Sequence, residues 1–257
     1  MNKLLGFLCL LCVSAQADLV SEVNSWTNRQ FIGIIGDSIA AGYPLATTRF
    51  TITNDGPQFG GDGYGDHNAI IGYRLNINST NVVTATNFGY HGYQWYQVRA
   101  NELTNWAIPS SNKVWITYCG VNDAAAASSW TTSSNAIEGI RQVATNNNVT
   151  LMITECAPGS GLGGTANNAV RTINANMSNY CTTYGLRWIR TRPWLASPTN
   201  DDMMVTGYEQ ADGIHWTTNA YDKFSLVLLT NLLDHFADST INIRATTISV
   251  GTIQATR

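Results

Sequence analysis

An α/β fold built on a parallel sheet with both faces covered is the class this sequence predicts, on three observations. Five short apolar runs, residues 31–35, 81–86, 113–118, 149–154 and 186–190, alternate with stretches whose apolar residues recur every three to four positions; such alternation implies right-handed crossovers between parallel strands. The first run, Phe31-Ile32-Gly33-Ile34-Ile35, is almost wholly apolar and rich in β-branched residues, as befits a strand buried on both sides. With 44% hydrophobic and only 12% charged residues among 257, the chain holds enough apolar material for one well-filled domain.

Each element can be taken in turn. Gly36 ends the first run, and Asp37-Ser38-Ile39-Ala40-Ala41-Gly42 opens with residues that favour a helix N-terminus, which sets Ser38 on the turn between strand and helix. In open α/β sheets ligands bind in this region, beyond the carboxyl ends of the strands. The second strand runs into Asn87-Phe88-Gly89-Tyr90-His91-Gly92, a glycine-bearing turn, and Trp95, Val98 and Leu103 suggest a following helix. The third strand leads into the polar loop Cys119-Gly120-Val121-Asn122-Asp123, and Ile137, Ile140 and Val143 mark the next helix. Val170, Ile173, Met177, Cys181 and Tyr184 mark another, and residues 217–236, with Ala220, Phe224, Val227, Leu228 and Leu232, mark the last. The low-complexity stretch 124–134 and the Gly-rich loop 158–165 are placed to border a cleft. Residues 239–257, with Ile241 and Ile243 and then Ile248 and Val250 alternating, are expected to form a β-like tail, an edge hairpin or a stub for assembly.

The chemistry starts from Ser38. A serine hydroxyl holds its proton at neutral pH and becomes a nucleophile only beside an imidazole that a third group orients. Asp212-Gly213-Ile214-His215 supplies both groups on what is expected to be one helical turn, its carboxylate toward Nδ1 and Nε2 left for the serine. An isolated Asp-x-x-His is common by chance, and Asp37 and Ser38 alone serve equally well as a helix cap. The segments at 87–92 and 119–123 change that balance. Ester hydrolysis by serine passes through a tetrahedral oxyanion, and glycine N–H groups and an asparagine amide are donors suited to it.

Together Gly36-Asp37-Ser38, the Asn-x-Gly-x-x-Gly of residues 87–92, Gly120-Val121-Asn122-Asp123 and Asp212-x-x-His215 resemble, in order, the four sequence blocks of the SGNH hydrolases, also called the GDSL esterase/lipase family. The resemblance spans roughly residues 31–236. It implies that Ser38 is the nucleophile, His215 the general base and later acid, and Asp212 the partner that orients the imidazole. It also implies an oxyanion hole formed by the Ser38 backbone N–H, the Gly92 backbone N–H and the Asn122 side chain, with Gly89 serving the turn. The implied fold is a three-layer α/β/α, flavodoxin-like arrangement with a five-stranded parallel sheet of order 2-1-3-4-5. Two departures are visible: Ile39 replaces the family's leucine, and Trp216 follows the histidine where a smaller residue often stands, narrowing the acyl or alcohol pocket.

Other residues carry less. His91 and His67 stand in motif or loop segments from which either can line the cleft, although a surface or turn role is the commoner account, and His235 falls near a helix C-terminus, where a cation is favourable. Residues 60–67, Gly-Gly-Asp-Gly-Tyr-Gly-Asp-His, lack the terminal bidentate glutamate of a calcium loop and are taken as a flexible turn. Asp123 is a loop or cap carboxylate. Tyr90, Tyr93, Trp95, Trp130, Trp194 and Trp216 lie in or near the motif segments and are core or rim residues, the commoner fate of aromatics.

Residues 1–17 have the form of a signal peptide: a positive start at Lys3, an apolar core over 4–13 and the small-x-small site Ala15-Gln16-Ala17. Cleavage after Ala17 leaves a hydrolase domain over 18–238, an exported, extracellular or periplasmic protein, and no segment for stable membrane insertion. Three cysteines then stay, of which Cys156 and Cys181 form a bridge if their elements adjoin, while Cys119 is expected to be buried. The formal net charge of -3 and the lack of any Lys/Arg cluster exclude a nucleic-acid partner. No metal or organic cofactor is called for by these residues. The expected reaction is hydrolysis of carboxylic esters through an acyl-serine, foremost acetyl esters of a small-molecule or polysaccharide substrate. A lipase or lysophospholipase, and a non-catalytic carbohydrate-binding surface module, are the alternatives.

Overall fold

The structure, a computed structural model, describes residues 30–42, 83–101 and 113–244. Five strands, β1 (Gln30–Gly36), β2 (Val83–Asn87), β3 (Val114–Tyr118), β4 (Thr150–Thr154) and β5 (Arg187–Ile189), pair in parallel in the order β2-β1-β3-β4-β5. This is the expected sheet and strand order. All five residues of β3 are buried, which requires cover on both faces of the sheet. Side chains alternate along a strand, so Ile116 and Tyr118 face one layer and Trp115 and Thr117 the other. The register aligns Ile32 with Val114 and Ile34 with Ile116, placing large apolar groups side by side. Each such fully buried aliphatic contributes about 1.5–3 kcal/mol through removal of apolar surface from water.

Seven helices complete the described part: α1 (Ser38–Ala41), α2 (Trp95–Gln97), α3 (Val121–Ala125), α4 (Trp130–Asn146), α5 (Gly163–Tyr184), α6 (Arg192–Leu195) and α7 (Thr218–Arg244). Helix α4 begins at Ser129, whose side chain accepts from Thr132 N, and buries Ile137, Ile140 and Ala144, while Val143 is half-buried. Helix α5 buries Val170, Ile173, Met177 and Cys181 and stops at Gly185 in the left-handed conformation, φ 64°. Tyr184, expected on the same apolar face, is exposed because it ends the last turn, where its ring packs against Tyr180. The buried face of α7 includes Ala220, Phe224, Val227, Leu228 and Leu232, as the pattern predicts.

The C-terminal expectation needs correction. Helix α7 runs to Arg244, so residues 239–244 are helical and not β-like, and His235 lies nine positions before the helix end. Neither glycine nor proline interrupts the stretch from Thr218 to Arg244, and β-branched residues lower helix propensity by only some tenths of a kcal/mol each, too little to stop a helix already running. Residues 245–257, the leader 1–17, His67 and the loop 60–67, and Leu103 lie outside the described residues.

The cysteines also differ from expectation. Cys119, Cys156 and Cys181 are all buried, and Cys156 and Cys181 form no bridge. Cys156 lies just past β4 and turns its Sγ to the Cys119 carbonyl, 3.1 Å away, whereas Cys181 packs on the inner face of α5. Burial pushes the Cys181 thiol up to about 12 and raises that of Cys156 as well.

Candidate active site

Strand order reverses at β1, whose neighbours are β2 and β3, so the carboxyl ends of β1 and β3 open onto a crevice. The turn that carries Ser38 follows β1 directly. Gly36 has φ 148°, and a Cβ there would lie 1.8 Å from the Tyr118 carbonyl oxygen, so only glycine lets β1 pass β3 this closely. Asp37 then caps α1: its N–H donates to Tyr118 O at 3.1 Å and its Oδ1 accepts from Ile39 N at 2.9 Å. Ser38 is the first residue of α1 and 6% exposed. Tyr221 donates its hydroxyl from α7 to Ile39 O at 3.1 Å and braces the turn.

Asp212 and His215 lie 174 and 177 residues further along the chain. Nε2 of His215 lies 3.0 Å from Ser38 Oγ, and Nδ1 lies 2.6 Å from Asp212 Oδ2. The other carboxylate oxygen of Asp212 accepts from Ile214 N at 2.9 Å and His215 N at 3.0 Å. This is a correction of the expected helical turn: the pair sits on a loop that the carboxylate closes upon itself, with Gly213 at φ 67°. Burial by itself raises the Asp212 pKa, but the bonds from the His215 ring and from the Ile214 and His215 backbone outweigh it and hold the carboxyl at about 2. An ionised carboxylate only accepts, so Nδ1 carries the proton, and in the neutral imidazole Nε2 is left to accept from the Ser38 hydroxyl. The arrangement can draw a proton from Ser38.

Block by block the remaining segments converge on the same turn. Tyr90 N donates to Gly36 O at 2.9 Å, and a Cβ on Gly89 would lie 2.6 Å from Ala41 N, so the segment after β2 lies directly on α1. Beyond it, Tyr93 O accepts from Asn122 Nδ2 at 3.0 Å, Asn122 O accepts from Gln94 Nε2 at 3.3 Å, and Asp123 Oδ2 accepts from Trp95 N at 3.1 Å. Asp123 also accepts from Ser133 Oγ at 2.7 Å, the cap role expected of it. Among the described residues the N–H groups of Ser38 and Gly92 have no hydrogen-bond partner; first-turn helix N–H groups are unpaired within the helix in any case. Asn122 spends one amide hydrogen on Tyr93 and keeps the other.

Two features escaped the sequence reading. Glu209 accepts from Ser160 N at 2.8 Å and from Ser160 Oγ at 2.7 Å, and Gly161 N donates to Gly213 O at 2.9 Å, so the glycine-rich 158–165 loop buttresses the acid–base loop. A Cβ on Gly161 would stand 2.0 Å from Asp212 O; the run of glycines was the available signal, but its partner is distant in sequence. His91, given a surface or turn role, is exposed on a turn, yet its ring stacks beside that of His215 with centroids 6.1 Å apart. Trp216, expected to narrow the pocket, is wholly buried against Tyr118, Tyr221 and Phe224, because the bridge between Glu209 and Trp216 turns it inward. Trp95 is buried too, Tyr93 and Trp130 pack partly buried against the core, and Trp194 stands 51% exposed with Lys223 Nζ over its ring.

No protein-family model and no curated protein matches this chain. Solved structures do. One from Veillonella parvula DSM 2008, a member of the lipolytic protein G-D-S-L family, aligns over 78% of this chain and 97% of its own with TM-score 0.60 and 18% identity. A GDSL-like lipase from Bacteroides thetaiotaomicron VPI-5482 aligns over 86% and 97% with TM-score 0.58 and 14% identity. The fold is that of the GDSL proteins, the SGNH hydrolases. A lipase/acylhydrolase from Enterococcus faecalis shows the same SGNH fold, over 80% of this chain and 96% of its own, with TM-score 0.58 and 14% identity.

The turn that carries Ser38 contains one electrostatic liability. Asp37 is fully buried, its Oδ2 has no hydrogen-bond partner among the described residues, and burial raises its pKa to about 7 against bonds from the Ile39 and Ala40 backbone that lower it. Between pH 4 and 7 the folded protein therefore keeps a proton that the unfolded chain has released. Its stabilising contribution is complete below about pH 4 and is lost as pH rises through 7. Asp37→Asn keeps the cap acceptor and removes the charge. In urea unfolding at pH 5 and pH 8, the wild type is expected to lose of order 2–4 kcal/mol across that interval from this group, and Asp37→Asn less than half as much; equal losses would refute the assignment.

Proposed function

We propose that the protein is a serine esterase that hydrolyses carboxylic esters through an acyl-serine, with acetyl esters of carbohydrates as substrates. The observation that carries this is the unbroken relay from Ser38 Oγ to His215 Nε2, 3.0 Å, and from Nδ1 to Asp212 Oδ2, 2.6 Å. In the proposed cycle His215 takes the hydroxyl proton as Ser38 Oγ attacks the ester carbonyl carbon. The Ser38 and Gly92 N–H groups and the second Asn122 amide hydrogen receive the oxyanion. The imidazolium then protonates the departing alcohol oxygen, and a water activated by His215 releases the acid from the serine.

The carbohydrate reading is supported by the leader-like residues 1–17, the low charge, and the half-buried Tyr90 and Tyr93, whose rings lie 4.5 Å apart and of which Tyr93 accepts from Asn122 through its backbone carbonyl. Among the described residues no helix is long and apolar enough to cross a membrane. The names of the structural relatives, lipases and an acylhydrolase, favour lipid esters as the second reading. A non-catalytic binding module has no need of the full relay. Incubation with acetylated xylan, peptidoglycan and phospholipid, with acetate and fatty acid quantified, separates the readings. Acetate from a polysaccharide and no fatty acid is the expected result; fatty acid release alone would replace it with the lipid reading.

A further inference from the structure

His91 has chemistry that the relay leaves unused. It stands on the exposed turn between Tyr90 and Gly92, and its ring lies beside that of His215 with planes 28° from parallel. In the proposed cycle the departing oxygen takes its proton from His215 Nε2, so the alcohol half of the ester lies against that imidazole while the carbonyl oxygen points to the Gly92 N–H. A ring alongside His215 therefore borders the alcohol half. Imidazole offers a donor and an acceptor nitrogen in its neutral form and two donors when protonated. Such a wall favours an alcohol carrying further hydroxyl groups and offers little to an alkyl chain.

We infer that His91 is a specificity-determining residue that hydrogen-bonds the alcohol portion of the ester and selects hydroxyl-rich, sugar-like alcohols. The inference rests on the esterase reading. Its test measures kcat/KM for an acetylated xyloside and for p-nitrophenyl acetate in the wild type, His91→Phe and His91→Gln. Phenylalanine keeps the ring and removes both nitrogens; glutamine restores a donor and an acceptor. The ratio of xyloside to p-nitrophenyl ester is expected to fall about tenfold in His91→Phe and to return to within about threefold of wild type in His91→Gln. A ratio unchanged in His91→Phe, or not restored in His91→Gln, overturns the inference. Absence of Ser38-dependent turnover of both esters in the wild type overturns the esterase reading itself and His91's role with it, a pattern distinct from an unaltered ratio.

Discussion

Replacing Ser38 with alanine is expected to lower p-nitrophenyl acetate turnover by at least about 10⁴-fold while the protein stays folded. The size follows from the chemistry. Without Oγ no acyl-enzyme forms, and His215 can only activate water that is not held at the carbonyl carbon. The fold survives because alanine suits the first turn of α1, whose support comes from Asp37 at the cap, Gly36 at the crossing and Tyr221 at Ile39 O. The lost bond to Nε2 costs about 1 kcal/mol, since the His215 side chain retains some exposure and water can take the place of the hydroxyl. Initial rates together with a thermal melt decide it. A folded variant with turnover within tenfold of wild type would remove Ser38 from the chemistry.

Asn122→Ala should reduce kcat by about 10²–10³-fold with little change in KM. Its amide meets charge that exists only in the transition state, so the loss falls on the chemical step. The geometry sharpens the expectation: Tyr93 O fixes one amide hydrogen at 3.0 Å and Gln94 holds the Asn122 backbone, so little conformational freedom is left to the second hydrogen. Asn122→Asp, which keeps the shape but places negative charge beside the oxyanion, is expected to be worse than alanine. A loss of a few-fold, accompanied by a lower melting temperature, would make Asn122 a structural link between the 92–95 and 119–123 segments.

The legible parts of this protein were those written in local periodicity and local turn chemistry. The apolar runs at β1 and β3, the three-to-four spacing of Val170, Ile173, Met177 and Cys181, and the cap at Asp37 each answer to forces between near neighbours in the chain. Strand ends shifted by a residue or two, as fraying termini do. Helix α7 overruns its expected end because no breaker precedes Ile241 and Ile243, and alternation over a few residues does not stop a helix already running. Trp216 stands differently: a tryptophan beside His215 is free to face the cleft or the core, and it packs in the core against Tyr118, Tyr221 and Phe224.

By itself the sequence determined the order of strands and helices, the residue types of the relay and the glycine at each tight crossing, because dihedral preference and hydrophobic period act over a few residues. Only the tertiary structure decided that Ser38 and His215, 177 positions apart, come within 3.0 Å. It also decided that Asp212 closes its own turn, that the 158–165 loop props it, and that His91 stands against the base. Those outcomes depend on the packing of parallel strands and on hydrogen bonds between loops remote in the chain, whose partners no local pattern names.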